Sequence, residues 1–289
     1  MKWLIDFLKK LFGSSVPVPT PMSVPPEVVL FQRDFRNSQF SWNDWYALTC
    51  KGMRALYPDY MRRVIWIKDN VVPSKEGLQL IATTGEAIKP DWESDGYYNF
   101  NWLRGRFNFC GQICSYDTNT ERGFVLVPGN RIDWVVKVPP LGYLYFFAMW
   151  LYNALKGRPQ QPEIDFEFFG SEADPYVIGG PSNYMRFSLH VPDGYGSTRS
   201  YSTGHTFPVD LSLDFHKYSL IWKLDCLIWL VDDTEYFRVN ENIPSMPMLY
   251  IVGIQAGPEV PNGPAYTHIF TDKECGAKAI IRSIKVLKA

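Results

Sequence analysis

The stretch PEIDFEFFG, residues 162–170, sets acidic and apolar residues in strict alternation. The acidic positions are Glu163, Asp165 and Glu167, and the apolar positions between them are Ile164, Phe166 and Phe168. Because successive side chains of a β-strand point to opposite faces, the three acids share one face and the apolar residues share the other. Neighbouring carboxylates repel, so stability alone does not favour this row. The pattern fits a solvated face over a core, and it also fits a row of acids placed for chemistry.

The chain around this stretch is built from strand-like runs. Runs rich in β-branched and aromatic residues include GLQLIATT (77–84), RIDWVVKV (131–138), LIWLVDD (227–233) and AIIRSIKVL (279–287). Turn-forming segments such as VPGN (127–130) and PDGYG (192–196) separate them. Only PPLGYLYFFAMWLYNALKG (139–157) is ambiguous between helix and strand. Many short antiparallel strands in one domain predict an all-β sandwich or barrel.

The first residues differ in character from the rest. Residues 1–13 space their apolar side chains as an amphipathic helix does, and residues 14–26 hold five prolines, which is typical of an extended linker. We therefore expect a helix at 1–13, a Pro-rich linker at 14–27 and one folded domain at 28–289. The helix is consistent with contact to a membrane surface or a partner, and equally with packing on its own domain. Asp6, Lys9 and Lys10 interrupt the apolar run that a secretory signal peptide needs.

Composition excludes several classes of function. The net charge is −1, which argues against nucleic acid as a partner, and no run approaches the about 20 apolar residues that span a bilayer. The five cysteines lack the spacing of a zinc site, so we predict no metal site, while disulfide pairing stays open. The aromatic share of 16% suits a large β core, and it also suits a cleft lined with rings that stack on sugars.

Two carboxyl groups are the minimal apparatus for hydrolysing a glycosidic bond. One protonates the leaving oxygen, and the other attacks the anomeric carbon or activates water. Repulsion between neighbouring acids raises the pKa of one group, which stays protonated while its neighbour is ionised. Four residues of strand span about 13 Å, whereas the two carboxyl groups of a retaining pair lie about 5 Å apart. The side chains of Glu163 and Glu167 would therefore have to lean toward each other.

EIDFEFFG resembles the active-site strand of glycoside hydrolase family 16, and most closely that of its lichenases and xyloglucan endotransglycosylases. FAMWL (147–151), GQICS (111–115) and FHKYSLIWKLDCLIWLVDD (215–233) resemble further segments of the family in the same order. The resemblance runs from about residue 28 to the end. It implies a concanavalin A-like jelly-roll β-sandwich of two antiparallel sheets, and retaining, endo-acting cleavage of a β-linked glucan or a related polysaccharide.

The resemblance also implies roles for individual residues. Glu163 would be the nucleophile, Glu167 the general acid/base, and Asp165 the carboxyl group that orients the nucleophile. Trp150 would line the cleft. The chemistry uses no cofactor; many relatives carry a structural calcium, but no acidic loop here indicates one. Residues 133–137, DWVVK, lack the arginine of the family's E-x-R-x-K strand, and we expect this difference to alter one patch of the cleft.

Three further residues are candidates for binding sugar. In MRFSLHV (185–191), Arg186 and His190 alternate with apolar residues, so they face the cleft if the apolar set faces the core. Trp102 lies on an expected loop, where its ring would form a sugar platform or simply pack. We expect a monomer that acts on polysaccharide. The alternatives are a transglycosylase with the same acids and a non-catalytic carbohydrate-binding sandwich. The substrate class suits an extracellular or cell-surface protein, but with no convincing signal peptide the localisation stays open.

Overall fold

The computed structural model describes residues 27–36, 40–41, 45–46, 64–87, 105–117, 122–140, 145–153, 162–169, 182–193, 198–256 and 275–289. Within these ranges the chain forms β-strands and one 3-10 turn, Lys68–Asn70. The strands in chain order are β1 (Val29–Asp34), β2 (Val64–Trp66), β3 (Val71–Pro73), β4 (Leu78–Ala87), β5 (Gly105–Cys110), β6 (Gln112–Cys114), β7 (Tyr116–Asp117), β8 (Arg122–Gly123), β9 (Asn130–Lys137), β10 (Tyr145–Asn153), β11 (Glu163–Phe169), β12 (Tyr184–Pro192), β13 (Thr198–Thr206), β14 (His216–Trp222), β15 (Leu227–Val231), β16 (Thr234–Val239), β17 (Met248–Ala256) and β18 (Lys278–Lys288).

These strands form two large sheets. The larger sheet has ten strands in the order β16-β15-β14-β9-β18-β4-β5-β2, with β1 beside β18 and β3 beside β4. The smaller sheet has six strands in the order β13-β12-β11-β10-β17-β6, and β7 pairs separately with β8. Every described pairing is antiparallel except that of β2 with β5. The predicted all-β sandwich of two sheets is confirmed.

The core lies between the inner faces of the two sheets and is rich in aromatic rings. Along β9, buried residues alternate with half-buried ones over the whole strand, because every second side chain faces the other sheet. Trp134 of β9 meets Phe166 of β11 edge-on, with ring centroids 5.3 Å apart. Phe187 of β12 and Tyr218 of β14 also contact the Phe166 ring edge-on, at 5.8 Å and 6.4 Å. Phe166 therefore joins both sheets directly behind the acidic residues.

Replacing Phe166 by alanine is expected to lower the free energy of unfolding by about 3–5 kcal/mol, because a fully buried ring is lost and its cavity cannot close. Urea unfolding followed by tryptophan fluorescence would measure this loss. The matched control is Phe237→Ala, since Phe237 is only half-buried on β16 and contacts the Trp229 ring at a tilt near the sheet edge. Equal losses for the two variants would contradict the central role given to Phe166.

The structure describes only part of the chain for which a helix, a linker and a folded domain are predicted. Residues 1–26 lie outside the described residues, so the helix at 1–13 and the greater part of the linker at 14–27 stay predictions. The first described strand, β1, begins at Val29 and pairs with β18 near the other end of the chain. Among the described residues, no helix is long and apolar enough to cross a bilayer.

One expectation from the sequence is wrong. The segment 133–137 was expected to form part of the cleft, but it belongs to β9 of the larger sheet, whereas the acids lie on the smaller sheet. Trp134 and Val136 are buried in the core, so Asp133 and Val135 point to the outer face of the larger sheet. Two layers of side chains separate that face from the acids. The missing arginine therefore does not alter the site.

Candidate active site

The three acidic residues lie in a row on β11, in the interior of the smaller sheet. Strand β11 pairs with β10 on one side and with β12 on the other. The residues between the acids, Ile164, Phe166 and Phe168, are almost wholly buried, as predicted from the alternation. The acids therefore share the opposite face of the sheet, which we call the acid face. Each acid has two partners across the strands: Tyr152 and His190 flank Glu163, Trp150 and Ser188 flank Asp165, and Ala148 and Arg186 flank Glu167.

Asp165 is buried at the centre of this row, with 4% of its surface exposed. Burial raises its pKa well above the ordinary value, and the negative charges of Glu163 and Glu167 raise it further, while the charge of Arg186 opposes the shift. A hydrogen bond with Glu163 also favours the protonated form of Asp165. On the opposite, core side, the indole Nε1 of Trp229 donates to the backbone oxygen of Asp165 at 3.0 Å. Burial and the neighbouring acids thus favour the protonated form of Asp165 next to Glu163.

The raised pKa of Asp165 predicts a pH-dependent loss of stability. In the unfolded chain an aspartate releases its proton at about pH 3.9, whereas the folded protein keeps the Asp165 proton to higher pH. The folded state then binds more protons, so stability falls as pH rises between the two pKa values, by at most about 1.4 kcal/mol per pH unit. Asparagine carries no charge, so Asp165→Asn is expected to be more stable than the wild type above pH 4.

Urea unfolding from pH 4 to pH 8 would measure this difference. The stability gap between Asp165→Asn and the wild type should grow with pH and level off above the folded pKa of Asp165. Asp225→Asn, at an exposed turn position, is the control and should show no growing gap. Parallel stability profiles for the wild type and Asp165→Asn would contradict the raised pKa.

Glu167 is held by two side chains of the neighbouring strand. Arg186 Nε donates to Glu167 Oε2 at 2.9 Å, and Ser188 Oγ donates to the same oxygen at 3.2 Å. Burial by itself lowers the pKa of Arg186. The charge of the Glu167 carboxylate and its hydrogen bond raise that pKa, and the net result is an increase. Ser188 lies opposite Asp165 in the register, at the centre of the row, whereas Arg186 lies opposite Glu167. Its hydrogen bond therefore draws the Glu167 carboxylate toward Asp165.

The other predicted site residues differ in their exposure, and one of them lies outside the described residues. His190 lies on the acid face with a third of its side chain exposed, and its Nε2 is 3.3 Å from Asp165 Oδ2. Trp150 also lies on this face, opposite Asp165, but only 2% of it is exposed. Trp102 lies outside the described residues. Direct contact of Arg186, His190, Trp150 and Trp102 with substrate stays a prediction.

Several residues of the acid face were missed in the sequence. Tyr152 lies opposite Glu163, and burial together with the charge of Glu163 raises its pKa to about 12. The alternation with Trp150 could have found it. The side chain of Gln112 lies over Gly253, where an added Cβ would come within 2.8 Å of Gln112 Cγ. The side-chain amide of Gln112 is buried and has no hydrogen-bond partner in the described structure. Only the pairing of β6 with β17 brings Gln112 to this face.

No donor set for a metal ion is found in the described ranges: no three His, Cys, Asp or Glu side chains come together in a suitable arrangement. A hollow of about 380 Å³ with charged walls lies elsewhere, on the outer face of the larger sheet beside Asp133 and Val135. Its cations are paired with carboxylates: Arg131 with Asp133 at 2.7 Å, and Lys217 with Asp233 at 2.6 Å. That hollow takes no part in the arrangement around the acids.

Fold and site together define a class of protein. A sandwich of two sheets, with two glutamates flanking a buried aspartic acid on one face, is the arrangement that the resemblance to glycoside hydrolase family 16 implied. Residues 145–269, which include all three acids and their partners on β10 and β12, match the model of the family Glycosyl hydrolases family 16. Over this segment the chain is similar to that family.

Two curated proteins are similar in sequence. A glucan endo-1,3-beta-glucosidase of Cryptopygus antarcticus is 26% identical over 175 residues, which are 59% of this chain and 47% of that protein. A probable xyloglucan endotransglucosylase/hydrolase of Arabidopsis thaliana is 26% identical over 179 residues, which are 58% of this chain and 54% of that protein. The chain thus spans about half the length of the curated relatives it matches.

Solved structures share the fold over nearly the whole chain. The endo-beta-1,3-glucanase of Pyrococcus furiosus superposes with a TM-score of 0.67 at 19% identity, covering 91% of this chain and 94% of that one. A lichenase from a mouse hindgut metagenome superposes with a TM-score of 0.61 at 18% identity, covering 90% of this chain and 99% of that one. The jelly-roll sandwich implied by the sequence is confirmed.

Proposed function

We propose that this chain is a retaining, endo-acting glycoside hydrolase that cleaves a β-linked glucan with β-1,3 or mixed β-1,3/1,4 linkages. The observation that carries the proposal is the buried Asp165 between two glutamates on one face of the sheet. This arrangement costs stability, and it supplies what a retaining mechanism needs: one carboxylate to attack and one carboxyl group to handle protons. The named activities of the relatives support the choice of glucan.

The positions of the two glutamates suit this mechanism. Along an extended strand their Cα atoms are about 13 Å apart, whereas retaining carboxyl pairs are about 5–5.5 Å apart. Glu163 is hydrogen-bonded to Asp165, and Glu167 is bonded by Ser188, which lies opposite Asp165. Both side chains therefore lean toward the middle of the row. We expect their carboxyl groups to lie within about 5–7 Å when substrate is bound.

The proposed reaction has two steps. In the first, a Glu163 oxygen bonds to the anomeric carbon, the glycosidic C–O bond breaks, and Glu167, which must have taken up a proton beforehand, gives that proton to the departing sugar oxygen. In the second, Glu167 takes a proton from water, whose oxygen displaces Glu163 from the anomeric carbon. Asp165 donates its hydrogen bond to Glu163 and so orients the attacking carboxylate. Only carboxyl groups take part in these steps, so we expect no catalytic cofactor.

A transglycosylase is the second candidate, because one curated relative is named as a xyloglucan endotransglucosylase/hydrolase. The same three acids would serve, with a sugar hydroxyl replacing water in the second step. Every proposed catalytic group comes from one sheet of one chain, so we expect a monomer to be active. The substrate class suits a protein outside the cell or at its surface, and residues 1–13 are the proposed contact to a membrane surface or partner.

A polysaccharide panel tests the proposal. The protein is incubated with β-1,3-glucan, mixed-linkage β-1,3/1,4-glucan, xyloglucan and β-1,4-glucan, and the products are sized. Endo cleavage should lower the mean chain length early, and proton NMR of fresh products should show the β-anomer first. Products longer than the starting oligosaccharide would indicate transglycosylation. Binding to one polysaccharide without any cleavage would leave only a carbohydrate-binding role.

A further inference from the structure

A chain of polar contacts crosses three neighbouring strands and ends at the proposed nucleophile. Ser200 Oγ of β13 is 2.7 Å from His190 Nδ1 of β12. His190 Nε2 is 3.3 Å from Asp165 Oδ2 of β11, and Asp165 is hydrogen-bonded to Glu163. At 3.3 Å the two atoms are close without forming a hydrogen bond in this structure, and Asp165 Oδ2 is a buried oxygen with no hydrogen-bond partner there. Contacts of this kind in active sites often tighten when substrate binds.

One arrangement of protons would give each polar atom from Ser200 to Glu163 a hydrogen-bond partner. A neutral imidazole has one N–H and one acceptor nitrogen, and burial lowers the pKa of His190, so the ring is neutral near pH 7. In the form favoured by its raised pKa, Asp165 keeps one proton, which its hydrogen bond to Glu163 uses. Asp165 Oδ2 can then only accept, so a hydrogen bond to it requires the N–H of His190 to be on Nε2. The hydroxyl of Ser200 consequently donates to Nδ1.

We propose that His190, anchored by Ser200, is a positioning residue that directs the proton of Asp165 toward Glu163. His190 would act on the nucleophile through Asp165, in addition to any contact with sugar. The inference rests on the proposed function, because Glu163 is the nucleophile only in that reaction. Asp165 Oδ2 is a buried oxygen with no hydrogen-bond partner in the described structure, and His190 Nε2 at 3.3 Å is placed to donate to it. That hydrogen bond would leave the Asp165 proton on the oxygen that faces Glu163.

The titratable groups around the contacts from Ser200 to Glu163 determine how activity should change with pH. The titratable and charged ones are Glu163 and Glu167 on β11, Arg186 on β12 and Tyr152 on β10; the facing residues of β13, Ser200 and Ser202, do not titrate here. Below the pKa of His190 the ring is a cation, and its charge favours loss of the Asp165 proton. Activity should therefore fall on the acid side, below the ordinary histidine pKa of about 6.5.

Nitrogen NMR tests the proton arrangement without any need for activity. Two-bond proton–nitrogen correlation spectra distinguish the two neutral tautomers, and the His190 signal is identified by its loss in His190→Gln. We expect the tautomer with N–H on Nε2 near pH 7.5. The signal should change in Ser200→Ala and return in Ser200→Thr, which restores a hydroxyl. Ser202→Ala, on the same face of β13, is the matched control and should leave the His190 signal unchanged.

Kinetics test the consequence for the nucleophile. With an activated aryl glycoside, whose leaving group needs no proton donor, His190→Ala should lower kcat about tenfold, the effect of one lost hydrogen bond in the transition state. His190→Gln can donate from its amide nitrogen to Asp165 but cannot titrate. It should keep most of kcat at neutral pH and lose the fall in activity attributed to His190 on the acid side. If His190 only bound sugar, its substitution would raise KM and leave kcat and the pH profile unchanged.

The two proposals fail in different ways. N–H on Nδ1 of His190 in the wild type, or a tautomer and pH profile unaltered in Ser200→Ala, would overturn the positioning role even in an active enzyme. A protein that cleaves nothing in the panel would overturn the proposed function, and with it the link from Asp165 to a nucleophile. The NMR experiment would then still test the proton arrangement, but without any link to catalysis.

Discussion

Glu163→Gln is expected to lower turnover of polysaccharide by about 10⁴-fold or more while substrate binding survives. Glutamine keeps the shape of the side chain and can still accept the hydrogen bond from Asp165. It cannot form the glycosyl–enzyme bond, because an amide oxygen is a far weaker nucleophile than a carboxylate. Reducing-end assays give the rate, and binding calorimetry with an oligosaccharide gives the affinity.

The control for this variant is Glu76→Gln, at an exposed turn between β3 and β4 of the larger sheet, which should match the wild type. A Glu163→Gln protein that cleaves at more than a tenth of the wild-type rate would remove Glu163 from the mechanism. Loss of oligosaccharide affinity together with activity would instead point to a damaged fold, which thermal unfolding would detect.

Glu167→Ala is expected to lose about 10²–10⁴-fold in rate on polysaccharide, because the leaving sugar oxygen then departs without a proton. An activated aryl glycoside needs no such proton, so its glycosyl–enzyme should still form on Glu163 and then accumulate, since no base activates water. Added azide needs no general base and fits the space left by the shorter side chain. Turnover should return, with a β-glycosyl azide as the product identified by NMR.

The configuration of that azide assigns the two glutamates. Two inversions at the anomeric carbon, one by Glu163 and one by azide, give the β product. An α-glycosyl azide would mean a single inversion and would make Glu167 the nucleophile. Ser188→Ala is the comparison variant, because it removes one hydrogen bond to Glu167 and keeps the carboxyl group. It should slow the reaction only modestly and show no azide rescue.

The acidic row could be predicted because it depends on local information alone. The alternation from Glu163 to Phe168 determines which side chains share a face, whatever strands lie beside β11. The same reasoning put Arg186 and His190 on the acid face, and the register of β11 with β12 agrees with it. The resemblance in ordered motifs extended this local pattern to the whole sandwich.

Contacts between distant strands could not be predicted in the same way. Ser200 is ten positions from His190, and only the pairing of β12 with β13 brings them together. Strand β10 was ambiguous because it is buried on both faces around Ala148 and Trp150, so its sequence shows no alternation. Asp133 and Val135 were placed in the cleft because a motif does not state to which sheet its strand belongs.

The hydrogen bond from Trp229 to the backbone of Asp165 ties the larger sheet to the proposed catalytic strand. The indole is 64 positions further along the chain, in the other layer, and far from any sugar, yet it donates to the residue at the centre of the acidic row. Among homologues, position 229 should therefore covary with the catalytic strand rather than with its own neighbours on β15. A search for active-site determinants restricted to the cleft would overlook the residue that sets the spacing between the layers at that point.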